Sequence, residues 1–400
     1  TWKAFLNAGY SYNRGRDYMQ TSASRLYMLN EAGAFGNTLS FEKYALRNGY
    51  VQLGVRGTFQ IGDVKNDVVL ALDRDWYHAY WGFYKPAGNA GSISGNLTDG
   101  VTSMLLNYPN SAVSGPKKSG LTTYSGISLT DTIEYGKATA LIGIHHHSVA
   151  ATSYGGARVD SSANSPTFGV VYRPTDDFSV YASHSQSFDK GTAVGSGFMN
   201  TGAVLTPAKT KQNEIGVKYA NKDVLYTLAF FDITQANNIE VTRGADKYQL
   251  QDGEECHRGV EFGVTGKIAP KWSLATGLSY LRATSEKTKG GTNDGRTIDG
   301  QPFWNGALMV RYAADEKFSA FGRLSYAGSA WTCNEKFKVP STTVLDLGMT
   351  YRTQLGSVPT TFGLMLYNAL DKEYWIASRS AKSLYLSTPR TIALTMTMDL

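Results

Sequence analysis

Hydrophobic and polar residues alternate with a period of two through much of this chain. Between residues 50 and 61, Val51, Leu53, Val55, Phe59 and Ile61 share one phase, while Gln52, Gly54, Arg56, Thr58 and Gln60 share the other. The last residues repeat the pattern, with Ile392, Leu394, Met396, Met398 and Leu400 set against Thr391, Ala393, Thr395, Thr397 and Asp399. Successive side chains of a strand point to opposite faces, so this spacing predicts strands with one apolar and one polar face. The polar phase carries charge: Val68, Leu70 and Leu72 alternate with Asp67 and Asp73. Such residues are costly in a dry core but cost little against a wet lumen.

The same cycle recurs along the chain. It predicts strands at 2–12, 50–61 and from 68, then pairs at 119–135 and 137–152, 164–174 and 177–188, 210–220 and 223–241, and 255–268 and 271–287. Further pairs fall at 303–313 and 317–332 and at 340–354 and 359–370, before the closing strand, for about sixteen in all. Every second join is a few residues, such as Gly62-Asp63 or Gly136. The other joins read as long polar loops, among them 85–118, 189–209, 284–302 and the polar stretch after Tyr12. Short turns on one side and long loops on the other are the asymmetry of an outer-membrane barrel. Phe59, Tyr172, Tyr219, Tyr312 and Tyr351 sit on the apolar phase beside the short turns. That is where an amphipathic ring meets the membrane–water boundary. Many segments also exceed the roughly 9–11 tilted residues a bilayer requires, which predicts strands projecting beyond it.

Composition changes this picture little. Only 18% of residues are charged, 25 are Tyr and 42 are Gly. Mean hydropathy is -0.28, as expected when only alternate residues meet lipid. No apolar run reaches the roughly 18 residues of a membrane helix. The net charge of +6 is spread out, without the basic block of a nucleic-acid-binding tail. The chain opens without Met or a leader and reads as a piece that begins inside a longer product, or as a processed one. No nucleophile elbow, phosphate loop or His-Glu-x-x-His is found, so the sequence gives no reason to expect an enzyme. In His145-His146-His147, alternation puts His145 and His147 on one face with no third ligand apparent. No metal site is expected there.

Several segments carry a family likeness. The hairpin "SPTFGVVYRPTDDFSVYASHSQSF" (165–188), "PAKTKQNEIGVKY" (207–219), "YTLAFFDITQANNI" (226–239), "RGVEFGVTGKIAPKWSL" (258–274), "NALDKEYW" (368–375) and "PRTIALTMTMDL" (389–400) resemble the barrel of TonB-dependent outer-membrane receptors of the siderophore branch. "QLGVRGTFQIG" (52–62) and "YSGISLTDTIEYG" (124–136) match more loosely. The family ends in an aromatic residue, and here Leu400 stands in its place.

The resemblance implies an all-β transmembrane antiparallel barrel of 22 strands in the Gram-negative outer membrane, of which residues 1–400 supply the last sixteen or so. It also implies an N-terminal plug outside these residues, through which the TonB complex would act. The implied activity is import of a ferric siderophore, with iron arriving already chelated and no cofactor of the protein's own. A passive porin-like channel and a receptor for another ligand, such as cobalamin, are the alternatives. Gln52, Arg56, Asp73, Glu214, Lys218, Glu261, Lys267, Arg311 and Arg323 are expected on the lumen face, toward the plug. Ligand contacts are expected from aromatic and cationic residues near the loop-side ends: Tyr77, Trp81, Phe83, Tyr108, Trp331, Tyr374, Trp375 and Arg379. Cys256 and Cys333 lie near loop-side strand ends, where an oxidising compartment permits a bridge.

Overall fold

The computed structural model describes residues 1–21, 26–28, 32, 34–84, 91–96, 99–106, 117–153, 158–188, 194, 198–200, 203, 205, 208–243, 246–332, 335–377 and 383–399. Its wall is a meander of long strands. In chain order these are β1 Trp2–Thr21, β2 Ala34–Ile61, β3 Val64–Tyr84, β4 Lys117–Tyr135, β5 Ala138–Ser153, β6 Arg158–Tyr172, β7 Phe178–Phe188 and β8 Lys209–Asn221. They continue with β9 Val224–Arg243, β10 Asp246–Ala269, β11 Trp272–Glu286, β12 Trp304–Ala313, β13 Phe318–Ala327, β14 Thr342–Leu355, β15 Val358–Tyr367 and β16 Thr391–Met398. Each pairs antiparallel with the next. Among the described residues, no pairing joins β1 to β16.

Register separates the two faces cleanly. One lateral row runs Ala4, Val55, Leu70, Leu129, Ile144, Pro166 across β1 to β6. The adjacent row runs Phe5, Gly54, Ala71, Ser128, His145, Ser165. Farther round, Val217, Leu228, Phe262, Leu278, Gly306 and Tyr326 form an apolar row beside Gly216, Ala229, Glu261, Ser279, Asn305 and Ala327. The apolar phase is the solvent-accessible one, with Leu72, Ile127, Phe230 and Leu324 all exposed and Leu394 on the edge strand 79% exposed. A soluble protein would hide this surface, whereas a barrel wall presents it to lipid. No described helix could cross a membrane, so the crossing is made by strands.

Aromatic rings bound the apolar band at both heights. Toward the short turns, Trp272 and Tyr312 lie 4.7 Å apart and Tyr219 and Tyr226 lie 6.1 Å apart between ring centroids. Toward the loops, Tyr280 and Trp304 lie 5.0 Å apart. Trp272 and Tyr280 open and close the same stretch of β11, eight residues apart. At about 3.4 Å per residue and a tilt near 40° they span about 21 Å, close to the roughly 25 Å apolar band of such barrels. The sequence pattern identified the lower girdle but not the upper. Above the upper girdle the outward face turns ionic: Arg258 Nε lies 2.7 Å from Asp232 Oδ2, and its Nη1 lies 3.0 Å from Glu286 Oε1.

The short turns fall where the pattern placed them. Gly136 adopts φ 55° in the two-residue turn between β4 and β5, a left-handed conformation a side chain disfavours. Asp315, in the turn before β13, accepts from the Lys317 and Phe318 amides, which hold its carboxyl below the usual range.

The loop side departs from expectation in four ways. Most of the polar stretch after Tyr12 is strand, since β1 continues to Thr21 and β2 begins at Ala34. Both faces are wet above the bilayer, so alternation fades while pairing persists. Two outer joins are also short, 154–157 and 244–245, because β5 with β6, and β9 with β10, stay paired far up the loop side as hairpins. Finally, the stretch 317–332 splits at Ala327, and Ala330–Thr332 pairs instead with Phe337–Val339. The expected loop 85–118 likewise holds strands Gly91–Asn96 and Gly100–Leu106.

The outer segments also pair with one another. Gly91–Asn96 extends the outer part of β2. Leu26–Met28 pairs with β2 and, at Leu26↔Leu384 and Tyr27↔Ser383, with Ser383–Leu386. The segment after β1 is thereby tied to the segment before β16.

Candidate ligand site on the lumen wall

Opposite the lipid face, the polar phase forms a hydrogen-bonded lining. All nine residues expected on the lumen face fall on this phase in the register. Arg56 Nε donates to Asp67 Oδ1 at 2.7 Å. The Tyr181 hydroxyl donates to Glu214 Oε1 at 2.6 Å, with the Lys218 ammonium 5.2 Å from the Tyr181 ring centre. Arg311 donates to Ser319 Oγ at 3.1 Å, and Arg323 Nη2 reaches Asp346 Oδ2 at 2.6 Å. Asp346 is only 4% exposed, and its other oxygen accepts from the Asn368 amide at 2.8 Å. These contacts stay within the wall, so the lining is rigid rather than a brush of mobile chains.

The upper lumen is different in character. Tyr50 on β2, Asp75 on β3 and Tyr124 on β4 are direct cross-strand partners. Tyr77 is two residues further up β3 on the same face, opposite Asn48, which is itself opposite Ser11. Together these residues line a concavity of about 580 Å³. Asp75 is half-buried there, and among the described residues no cation pairs with it. Beside it, Asp73 Oδ1 lies 3.1 Å from His145 Nε2, and the His145 and His147 rings are 3.7 Å apart. Gly126 makes this approach possible, because a Cβ there would collide with the His145 ring and crowd Asp73 Oδ2. His146 points the other way, to the lipid side, and bonds Asn164 at 2.7 Å. Among the described residues no three such side chains are placed to hold a metal ion.

The ligand candidates from the sequence divide into two groups. Tyr77 lies on the lumen wall. Trp331, Tyr374 and Trp375 lie in outer segments: the 330–339 hairpin packs against Trp375–Ala377. Lys338 Nζ sits 5.3 Å from the Trp331 ring centre, and the Ser387 hydroxyl accepts from the Tyr374 amide at 3.1 Å. Trp81 and Phe83 continue the backbone of β3, but their side chains fall outside the described residues, as do Tyr108, Arg379 and Cys333. Cys256 carries a free, buried thiol, and its expected partner Cys333 lies outside the described residues. Its neighbours across β9 and β11 are Thr234 and Thr284. Sequence reasoning missed Tyr50, Asp75 and Tyr124. Their residue types were visible, but their adjacency depends on the register between three strands.

A wall with a lipid-facing apolar band, two aromatic girdles and a hydrogen-bonded polar lumen defines an outer-membrane β-barrel. The TonB dependent receptor-like β-barrel family model matches residues 1–369, and the chain belongs to this family. The barrel resides in the outer membrane of a Gram-negative bacterium. Among curated proteins, the ferrichrome receptor FcuA of Yersinia enterocolitica is 25% identical over 369 residues, covering 86% of this chain and 47% of the relative. The ferrichrome outer membrane transporter/phage receptor of Escherichia coli K12 is 26% identical over 88% of this chain and 48% of its own length. The chain thus spans about half the length of these relatives. Among solved structures, BauA, the ferric preacinetobactin receptor of Acinetobacter baumannii, superposes with a TM-score of 0.84 at 26% identity, covering 100% of this chain and 60% of that one.

Proposed function

We propose that this barrel is the wall and outer vestibule of a receptor that imports a ferric siderophore in a TonB-dependent way. The observation that carries this reading is the likeness over nearly the whole chain to receptors named for ferrichrome and ferric preacinetobactin. The lumen chemistry supports it. A wall that hydrogen-bonds many of its own polar groups suits a passage blocked by a movable plug, and tyrosine faces in the upper lumen suit a bulky chelate. On this reading iron enters as cargo inside its chelate, the residues 1–400 form a single barrel domain, and TonB acts on a plug that precedes it.

The test is growth under iron restriction. The intact receptor is placed in an indicator strain stripped of its own siderophore receptors and supplied with a panel of ferric hydroxamates and catecholates. Growth on at least one chelate, lost when TonB is deleted, is the expected result. Growth that survives TonB deletion would point to a passive channel instead.

A further inference from the structure

The upper lumen of β2, β3 and β4 carries a feature the receptor reading leaves unexplained. Asp75 sits between Tyr50 and Tyr124, its direct partners on the two neighbouring strands. Cβ atoms of directly opposed residues lie about 5 Å apart, so two phenol rings bracket one carboxylate. Tyr77 adds a third ring above it on the same face, and Asn48 and Ser11 supply polar atoms beside that ring. The carboxylate has no cation partner among the described residues, whereas Asp67, Asp73 and Asp346 on the same wall lie against Arg56, His145 and Arg323. The outward neighbours of Asp75 are Arg74 and Trp76, above the last apolar pair Leu70 and Leu72, so the site lies at the outer limit of the lipid band.

We infer that this concavity binds an alkylammonium group carried on the ferric chelate. Aromatic faces attract a cation through their quadrupole, and a carboxylate among them supplies the counter-charge. An anionic chelate arm would meet Asp75 and Asp73 together and be repelled. This inference deepens the siderophore reading and rests on it. It assigns the chelate a protonated amine.

The experiment measures binding to the purified intact receptor in detergent by quenching of intrinsic fluorescence. The probes are a linear ferric trihydroxamate with a terminal ammonium, the same chelate N-acetylated, and butylammonium alone. The expected result is about tenfold weaker binding of the acetylated chelate, and loss of that difference in Asp75→Asn and in Tyr77→Leu. Equal affinity for the two chelates overturns the inference, as does a ratio preserved in Asp75→Asn. If neither chelate binds while butylammonium quenches in an Asp75-dependent way, the ammonium site stands and the siderophore reading falls. If no probe binds and Asp75→Asn alters only thermal stability, the carboxylate belongs to an internal contact and the inference falls.

Discussion

Asp131 is the residue most at odds with its surroundings. Its cross-strand partners are Val68 and Ile142, on the lipid side of the wall, and one of its carboxyl oxygens is buried without a hydrogen-bond partner. A lipid-facing acid destabilises a barrel, though less than Lys or Arg does. Asp131→Leu is therefore expected to stabilise the folded barrel by about 1 kcal/mol, read as a higher urea midpoint in liposomes. An unchanged or lower midpoint would show that the carboxyl is satisfied in the bilayer. Asp346 is the opposite case, since it is buried and takes both the Arg323 guanidinium and the Asn368 amide. Asp346→Ala leaves both donors unmatched. Arg323 is half in water, so the expected loss is about 2 kcal/mol, measurable in the same titration. Neither residue could be ranked from sequence. Asp131 and Asp346 both occupy alternating strands, and only the register shows which one faces lipid.

At the scale of elements, strands were legible wherever one face meets lipid and the other meets the lumen. Val51, Leu53 and Val55 announce β2, and Ile392 to Met398 announce β16. Legibility stopped at the outer edge of the bilayer. In the strand residues 13–21, 34–49, 91–96 and 100–106 the chain runs above the bilayer, so nothing in the composition distinguishes a paired strand from a loop. The loop between β11 and β12 shows what organises such a segment. Asp294 accepts from both the amide and the hydroxyl of Thr288 at 2.8 Å, and these donors hold its carboxyl below the usual range. A carboxyl lowered in the folded state stabilises above its unfolded value near 4, and that stabilisation is lost as pH falls further. Amide exchange at Thr288 and Asn293 is therefore expected to be slow at pH 6 and to accelerate below pH 4 relative to β11, after correction for the intrinsic rate. Protection that stays level across that range would assign the loop's order to other contacts.

For the whole molecule, the two girdles define how the barrel sits in its membrane. Trp272 belongs to the lower ring and Trp304 to the upper. In variants retaining one or the other as sole tryptophan, lipids brominated near the carbonyl region should quench each more strongly than lipids brominated near the chain ends. Stronger quenching from the chain ends at either position would displace the apolar band from where the girdles put it. The fold class was legible because a barrel repeats one simple pattern many times. The candidate site was legible only in part. Tyr77 could be named as an aromatic near a loop, but the tyrosine pair flanking Asp75 comes from residues 50, 75 and 124, which the sequence keeps far apart.

The pairing of Leu26–Met28 with Ser383–Leu386 has a mechanical consequence. The first and last outer segments share one ladder, so neither can swing aside alone. Displacing one strand therefore means breaking its ladder with the other, so these two segments yield together or not at all.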